Sequence, residues 1–304
     1  MTDFVSGTPV PGSLDVRWIH GAPGEPAIQV HRYDEHTVIL RQGKSVHWEA
    51  PFLFLLFGND RALLLDTGAT ADPGRFPLRE TVDGLIAGWL AEHPREGYEL
   101  VVAHTHGHGD HVAADSQFAG RDRTTVVPRD VDAVRSFFGF GDDWPDQTVR
   151  FDLGGRVLDV VGSPGHHPAA ITVYDPWTGI MFTGDTIYPG RLYVSDQVSF
   201  AATMDRLVGH AGARLVTHVL GCHIEMTRQP GRDYPLGSAY QPDEPDLQMT
   251  TAQLCAVRDA ALAVGGQRGV HRFDDFIIYS EPRRTDQFRL LARGLAHRLR
   301  PGRL

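Results

Sequence analysis

The stretch VVAHTHGHGDHVAA, residues 101–114, decides how the rest of this sequence is read. Within eight residues it places His104, His106, His108, Asp110 and His111, and nine of the sixteen histidines in the chain lie between 104 and 223. A single histidine is ordinarily a surface residue or a satisfied core residue. Four of them with an aspartate in so short a run are uncommon without a metal. In extended backbone alternate side chains share a face, so an HxH pair lets two imidazoles approach one cation from the same side. Two such pairs overlap here, His104/His106 and His106/His108, and spacing alone does not choose between them. Asp110 and His111, entering the next helix, can hold a second cation beside the first. Gly107 and Gly109 are expected to supply the unusual backbone angles that such crowding requires.

Outward from the cluster, the chain alternates strands and helices. LVVAH leads into it, and upstream FLFLLFG (52–58) and RALLLDTG (61–68) read as two strands, apolar on both faces, joined by Gly58-Asn59-Asp60. AIQVHRYD and HTVILRQ read as edge strands. Leu78, Val82, Leu85, Ile86, Trp89 and Leu90 recur at helical spacing up to His93-Pro94. Downstream, VAADSQFAG and DVDAVRSFF read as helices, and VRFDL, RVLDVVG, AITVYD and GIMFTGD as strands. A helix near 199–209 and a strand ARLVTHVLG follow. Residues 226–250, rich in Pro, Gly, Asp and Tyr, read as a long ordered loop, followed by a helix, a strand at FIIY and a terminal helix. The stripe Phe288, Leu291, Leu295, Leu299 of that last helix suits a homodimer surface as well as a core-facing one.

Composition narrows the classes. At 304 residues, with 41% hydrophobic and 22% charged residues, the chain has the material for one large globular domain. A net charge of −9 argues against nucleic acid as a partner. No apolar run reaches the length of a membrane span. The stretch MTDFVSGTPVPGSLD lacks the basic start and apolar core of a signal peptide, and two cysteines, Cys222 and Cys255, imply no disulfide framework. The expectation is a cytoplasmic protein acting on a small molecule.

Thr105-His106-Gly107-His108-Gly109-Asp110-His111 resembles the THxHxDH signature of the metallo-β-lactamase (glyoxalase II-like) superfamily. Leu65-Asp66-Thr67-Gly68 resembles its LxDTG segment, Ser163-Pro164-Gly165-His166 its TPGHT loop, Phe182-Thr183-Gly184-Asp185-Thr186 its FTGDT strand end, and Gly221-Cys222-His223 carries the final histidine. The five pieces occur in the family's order over residues 50–225. The resemblance implies an α/β chain folded as a four-layer αββα sandwich: one domain over 1–304, with 226–304 a C-terminal extension of loop, helix, strand and helix packed on it. It implies His106, His108 and His166 as ligands of one metal, Asp110, His111 and His223 as ligands of a second, and Asp185 as the bridge. His104 falls outside that set, and Asp66 becomes a carboxylate that orients a ligand imidazole. Two departures from the pattern stand out. His167 occupies a position where the family has Thr or Ser, and GCHIE replaces a GHG-like context, with His218 nearby. Alignment favours His166 and His223 as ligands, and Cys222 as a small buried residue.

The implied activity is that of a dinuclear zinc hydrolase, with Mn or Fe also compatible with the donors. Two cations roughly 3.5–4 Å apart share a water and lower its pKa toward about 7, giving a bridging hydroxide that attacks an ester, thioester or lactone carbonyl. Asp110 would accept or orient the proton of the nucleophile, and Tyr188, three residues past Asp185, resembles a tyrosine that assists the carbonyl in the lactonase branch. The alternatives are a mononuclear iron dioxygenase of the persulfide type on the same scaffold and a phosphodiesterase.

Overall fold

A computed structural model describes residues 14–299, so most of the stretch read above for a signal peptide lies outside the described residues. The first sheet runs β1 (Ile28–Asp34), β2 (Thr37–Gln42), β3 (Phe52–Phe57), β4 (Arg61–Leu65), β5 (Glu99–Ala103) and β6 (Thr124–Val126), in that spatial order. The first four are antiparallel neighbours. β5 lies parallel to β4 because helix α1 (Leu78–Glu92) carries the chain back between them. The second sheet is ordered β13 (Gln248–Met249), β12 (His218–Gly221), β10 (Ile180–Gly184), β9 (Ile171–Asp175), β8 (Val157–Gly162), β7 (Thr148–Asp152), with β10 and β12 parallel across α4 (Gln197–Gly212). A third sheet joins β11 (Arg191–Val194) to β15 (Ile277–Ser280) and β14 (Gly269–Arg272).

Alternation along the strands builds the layers. Ile39, Phe54, Leu63 and Val101 of the first sheet meet Leu158, Val173, Ile180 and Phe182 of the second in one core. The opposite face of the first sheet, through Leu40, Leu55 and Leu64, takes the α1 stripe Val82, Ile86 and Trp89. The outer face of the second, through Tyr174, Met181 and Val219, takes Phe200 and Met204 of α4 with Leu254 and Val257 of α5 (Thr251–Val264). The result is the αββα order. Arg156, fully buried, ties the sheets: its guanidinium pairs with Asp175 at 2.6 Å and donates to the carbonyl of His36 at 2.6 Å and the hydroxyl of Thr37 at 2.8 Å. α5 begins at a capping box in which Thr250 and Gln253 exchange side-chain and backbone hydrogen bonds, worth about 1 kcal/mol over an uncapped start.

Differences from the sequence reading are local. VAADSQFAG is not one helix: a single turn, α2 (Gly109–Val112), passes into a 3-10 turn (Ala113–Phe118). The strand read at ARLVTHVLG begins only at His218, and Leu215 is exposed. β6, β11, β13 and β14 are short strands that the sequence reading missed. The stripe of the terminal helix α6 (Arg284–Leu299) faces solvent, with Phe288, Leu291, Leu295 and Leu299 all exposed. The inward side combines Leu290, packed on Met226, Ile277 and Tyr279, the buried Gly294, and Arg293, which donates to the Asp233 carboxylate at 2.7 Å. Among the described residues no helix is long and apolar enough to cross a membrane.

Candidate metal centre

Parallel pairing brings the C-terminal ends of β4 and β5 together, and those of β10 and β12, on one edge of the sandwich. Asp66 follows β4, the histidine cluster follows β5, Asp185 follows β10 and His223 follows β12. His166 arrives on the loop after β8. The crowding does not use Gly107 or Gly109, neither of which has a positive φ. The strained positions are elsewhere. Asp66 itself adopts φ 70°, which turns its side chain under the cluster. Gly184 has φ 54°, and a Cβ there would lie 2.5 Å from Cβ of Thr105, so only glycine lets the two sheets close at this point.

Two groups of donor atoms converge. His106 Nε2, His108 Nδ1 and His166 Nε2 are mutually 2.9–3.2 Å apart. Around a tetrahedral zinc with bonds of about 2.0–2.1 Å, such nitrogens would stand about 3.3 Å apart. In the second group His223 Nε2 lies 3.2 Å from Asp110 Oδ2 and 3.4 Å from Asp185 Oδ1, and His111 Nε2 lies 3.5 and 3.4 Å from the same two oxygens. Asp185 turns its other oxygen, Oδ2, toward His166 Nε2 at 3.8 Å, so its carboxylate faces both groups. His111 Nε2 and Asp185 Oδ1 are buried with no hydrogen-bond partner. Left unpaired, such atoms each cost about 1–3 kcal/mol. A cation among them would satisfy both at once, so the donor set fits a metal.

Charge separates the two groups. Burial and the neighbouring imidazoles push His106 well below its ordinary range and His108 down with it, favouring the neutral form of both rings. In the second group burial acts the same way, but the carboxylates of Asp185, Asp66 and Asp110 outweigh it and raise His111, and Asp185 with Asp110 lifts His223 to about 9. Burial likewise opposes ionisation of Asp185 and Asp110, yet His223 and His111 hold Asp185 at about 2 and Asp110 below the usual carboxylate range. The second group therefore holds protons that a cation would displace.

Neighbours fix the rings. His111 Nδ1 stands 3.0 Å from Asp66 Oδ2, while the backbone N–H and hydroxyl of Thr105 donate to the two oxygens of Asp66 at 2.7 and 2.8 Å. His166 Nδ1 donates to the carbonyl of Tyr193 at 2.7 Å, which aims Nε2 inward. Cys222 is buried, and its thiol points to Asp66 Oδ2 at 3.2 Å rather than away from the site. His104 is turned aside and meets Asp115 at 2.8 Å. The ring of His167 accepts from the N–H of Ala169, and His218 packs edge-on to Tyr33; neither joins a donor group.

A cavity of about 360 Å³ opens over the donors, and residues outside the family motifs build its walls: Trp48, Glu49, Tyr193, Glu225 and Leu236, with Tyr188. Glu225, two positions past His223, and Tyr188, three past Asp185, lie close to the motifs in sequence; Trp48, Glu49 and Leu236 come from remote segments. The Tyr188 hydroxyl donates to the carbonyl of Arg191, with Glu225 Oε2 3.2 Å away. The Arg191 guanidinium binds Asp233, Glu225, the carbonyl of Tyr234 and the hydroxyl of Tyr193, so it moors the 226–250 loop beside the cavity.

Residues 48–264 match the metallo-beta-lactamase superfamily. Over 168 residues the chain is 29% identical to a hydroxyacylglutathione hydrolase of Rhizobium meliloti, an alignment covering 51% of this chain and 60% of that one. Over 247 residues it is 28% identical to a hydroxyacylglutathione hydrolase of Synechococcus, covering 76% and 85%. Among solved structures, a metallo-beta-lactamase from Pontibacter korlensis superposes with a TM-score of 0.52 at 18% identity, over 77% of this chain and 99% of that one. One from Erythrobacter litoralis gives 0.51 at 14%, over 78% and 97%. At such identities the structural likeness concerns the fold. Matched over most of its length, the chain belongs to the metallo-beta-lactamase superfamily.

Proposed function

We propose that the chain is a dinuclear metal-dependent hydrolase that cleaves an ester, thioester or lactone carbonyl of a small molecule, with zinc as the metal. The observation that carries this reading is the carboxylate of Asp185, which faces the trio of His106, His108 and His166 with one oxygen and His111 and His223 with the other. One carboxylate shared by two donor groups suits a pair of cations. Imidazole and carboxylate donors suit zinc, and Mn or Fe also accept them. The hydroxyacylglutathione hydrolase names of the relatives support thioesters within the carbonyl class.

When bound, two cations supply an acidified water and polarise a substrate carbonyl. The rest falls to the chain. Asp110 fronts the cavity with Oδ2 3.2 Å from His223 Nε2, which places its carboxylate to orient the nucleophile or accept its proton. Asp66 and the Tyr193 carbonyl hold the tautomers of His111 and His166. Trp48 and Leu236 narrow the approach and exclude bulk water from the reacting carbonyl.

The test joins metal content to turnover. Elemental analysis of purified protein should give two zinc per chain, and a panel of thioesters, lactones, phosphodiesters and β-lactams should show hydrolysis confined to the first two classes. His106→Ala should lower kcat/KM by at least about a hundredfold, equivalent to roughly 2.7 kcal/mol of transition-state stabilisation. One iron per chain, or turnover that survives this substitution, would refute the assignment.

A further inference from the structure

We infer that the cavity selects by charge: it takes substrates whose portion beyond the scissile carbonyl is neutral or cationic and disfavours anionic ones, with Glu49 setting the preference. The inference rests on the carbonyl-hydrolase reading above and names its substrate class.

Among the described residues, none that line the cavity is a lysine or arginine. Two cations behind its walls are already engaged. Arg191 is buried, with its guanidinium bound to Asp233, Glu225, Tyr193 and a carbonyl. Lys44 is buried behind the wall, donating to the Trp48 carbonyl at 3.2 Å and facing Glu244 at 3.7 Å. Apart from the side chains that face the metals, the ionisable groups of the lining are two carboxylates, two tyrosines and nothing basic. Glu225 is offset by Arg191. Glu49 is not offset by any Lys or Arg: among the described residues its ion-pair partner is His47, at 3.4 Å. Glu49 lines the same cavity as Asp110, His223, Asp185 and Glu225, and burial followed by the Asp110 carboxylate pushes it up to about 7, so it carries its charge above that pH. Trp48, Tyr188 and Tyr193 add aromatic surface that accepts apolar groups and, face-on, an ammonium. A substrate carboxylate would meet Glu49 with no lining Lys or Arg to receive it, whereas above about pH 7 an ammonium would meet a carboxylate and aromatic rings. Like charges brought together in a partly desolvated site discriminate against the wrong partner.

The experiment uses three thioesters of one neutral thiol whose acyl chains end in trimethylammonium, in the isosteric tert-butyl group, or in carboxylate. The corresponding thioethers, which cannot be hydrolysed, are titrated calorimetrically into the same purified protein. We expect the cationic and neutral members to exceed the carboxylate by about tenfold or more in both kcat/KM and affinity. Glu49→Gln should shrink the cationic-to-anionic ratio several-fold and Glu49→Lys should invert it. Both substitutions fall on a partly exposed side chain, and an unchanged melting temperature would certify the fold. Equal treatment of the three substrates, or a ratio unmoved by both variants, would overturn the inference. Thioethers that rank by charge while neither these thioesters nor the matching esters and lactones are cleaved would leave the charge selection standing and refute the hydrolase reading. Cleavage of all three at one rate would do the reverse.

Discussion

Asp66 and His111 form a buried pair in which Oδ2 of the aspartate stands 3.0 Å from Nδ1 of the imidazole, leaving Nε2 pointed at Asp110 and Asp185. The pair fixes which nitrogen of His111 is free to bind, and its carboxylate raises the basicity of the ring. Asp66→Asn keeps the shape and tolerates the φ of 70° well, since asparagine enters the left-handed region readily. It removes the charge and can present an N–H where an acceptor is needed. We expect metal affinity to fall about 10–100-fold, read as faster zinc loss to a chelator, beyond the loss of stability that the metal-free protein shows from weakening the bonds of Thr105 and His111 to Asp66. Retention equal to wild type would show that His111 needs no such support.

Tyr188 tests a narrower point. Its ring lines the cavity, but its hydroxyl is donated to the Arg191 carbonyl and lies against Glu225, so assisting a substrate oxygen would require that bond to open. Tyr188→Phe leaves a buried carbonyl without its donor, at a cost of about 1–3 kcal/mol. We expect the loss to appear mainly in stability, with kcat lowered less than tenfold. A loss of kcat on lactones or esters far beyond that, at unchanged stability, would return the hydroxyl to the reaction.

The donor groups were legible because each sits in a short segment at a strand end, where neighbours in sequence are neighbours in space. Spacing alone does not separate His104 from His106; the resemblance does, and in the structure Asp115 takes the first while the second turns toward His166. The cavity wall was not legible. Trp48 and Glu49 precede β3, and Leu236 belongs to the 226–250 loop, so only tertiary packing brings them to the donors. The orientation of α6 was open for the same reason: its spacing defines a stripe, but the packing of Leu290 on Met226, Ile277 and Tyr279 and the bond from Arg293 to the Asp233 carboxylate decide which face turns inward.

The loop's second mooring is open to test. Arg41, fully buried on β2, binds Glu244 through both terminal nitrogens at 2.8 and 2.7 Å, and Lys44, which burial pushes down to about 8, lies 3.7 Å from the same carboxylate. Glu244→Ala would strand buried cations beside the cavity wall, at a cost of about 3–5 kcal/mol in urea unfolding. Replacing Arg41 by Met and Glu244 by Leu together should recover most of that loss. A single substitution costing under about 1 kcal/mol would show that the pair does not hold the loop.

Far from the metal centre, His210 on α4 supplies a pH signature of the fold. Its ring packs edge-on to Tyr174 at 5.2 Å, with Nε2 3.7 Å from Asp159, and burial together with Arg214 pushes it down to about 4 against the attraction of Asp159. The native ring stays neutral over a range in which the unfolded one, with an ordinary value near 6.5, takes up a proton. Between those values the unfolded chain binds more protons, so stability must fall as pH drops from about 6.5 to about 4. After allowing for solvent screening the loss from this group is about 2 kcal/mol. His210→Phe preserves an aromatic edge against Tyr174 and cannot titrate. Unfolding free energies measured across that window should therefore converge with wild type toward acid, the variant losing less by that amount. Parallel curves for the two proteins would show that His210 is protonated in the native state as readily as in the unfolded chain.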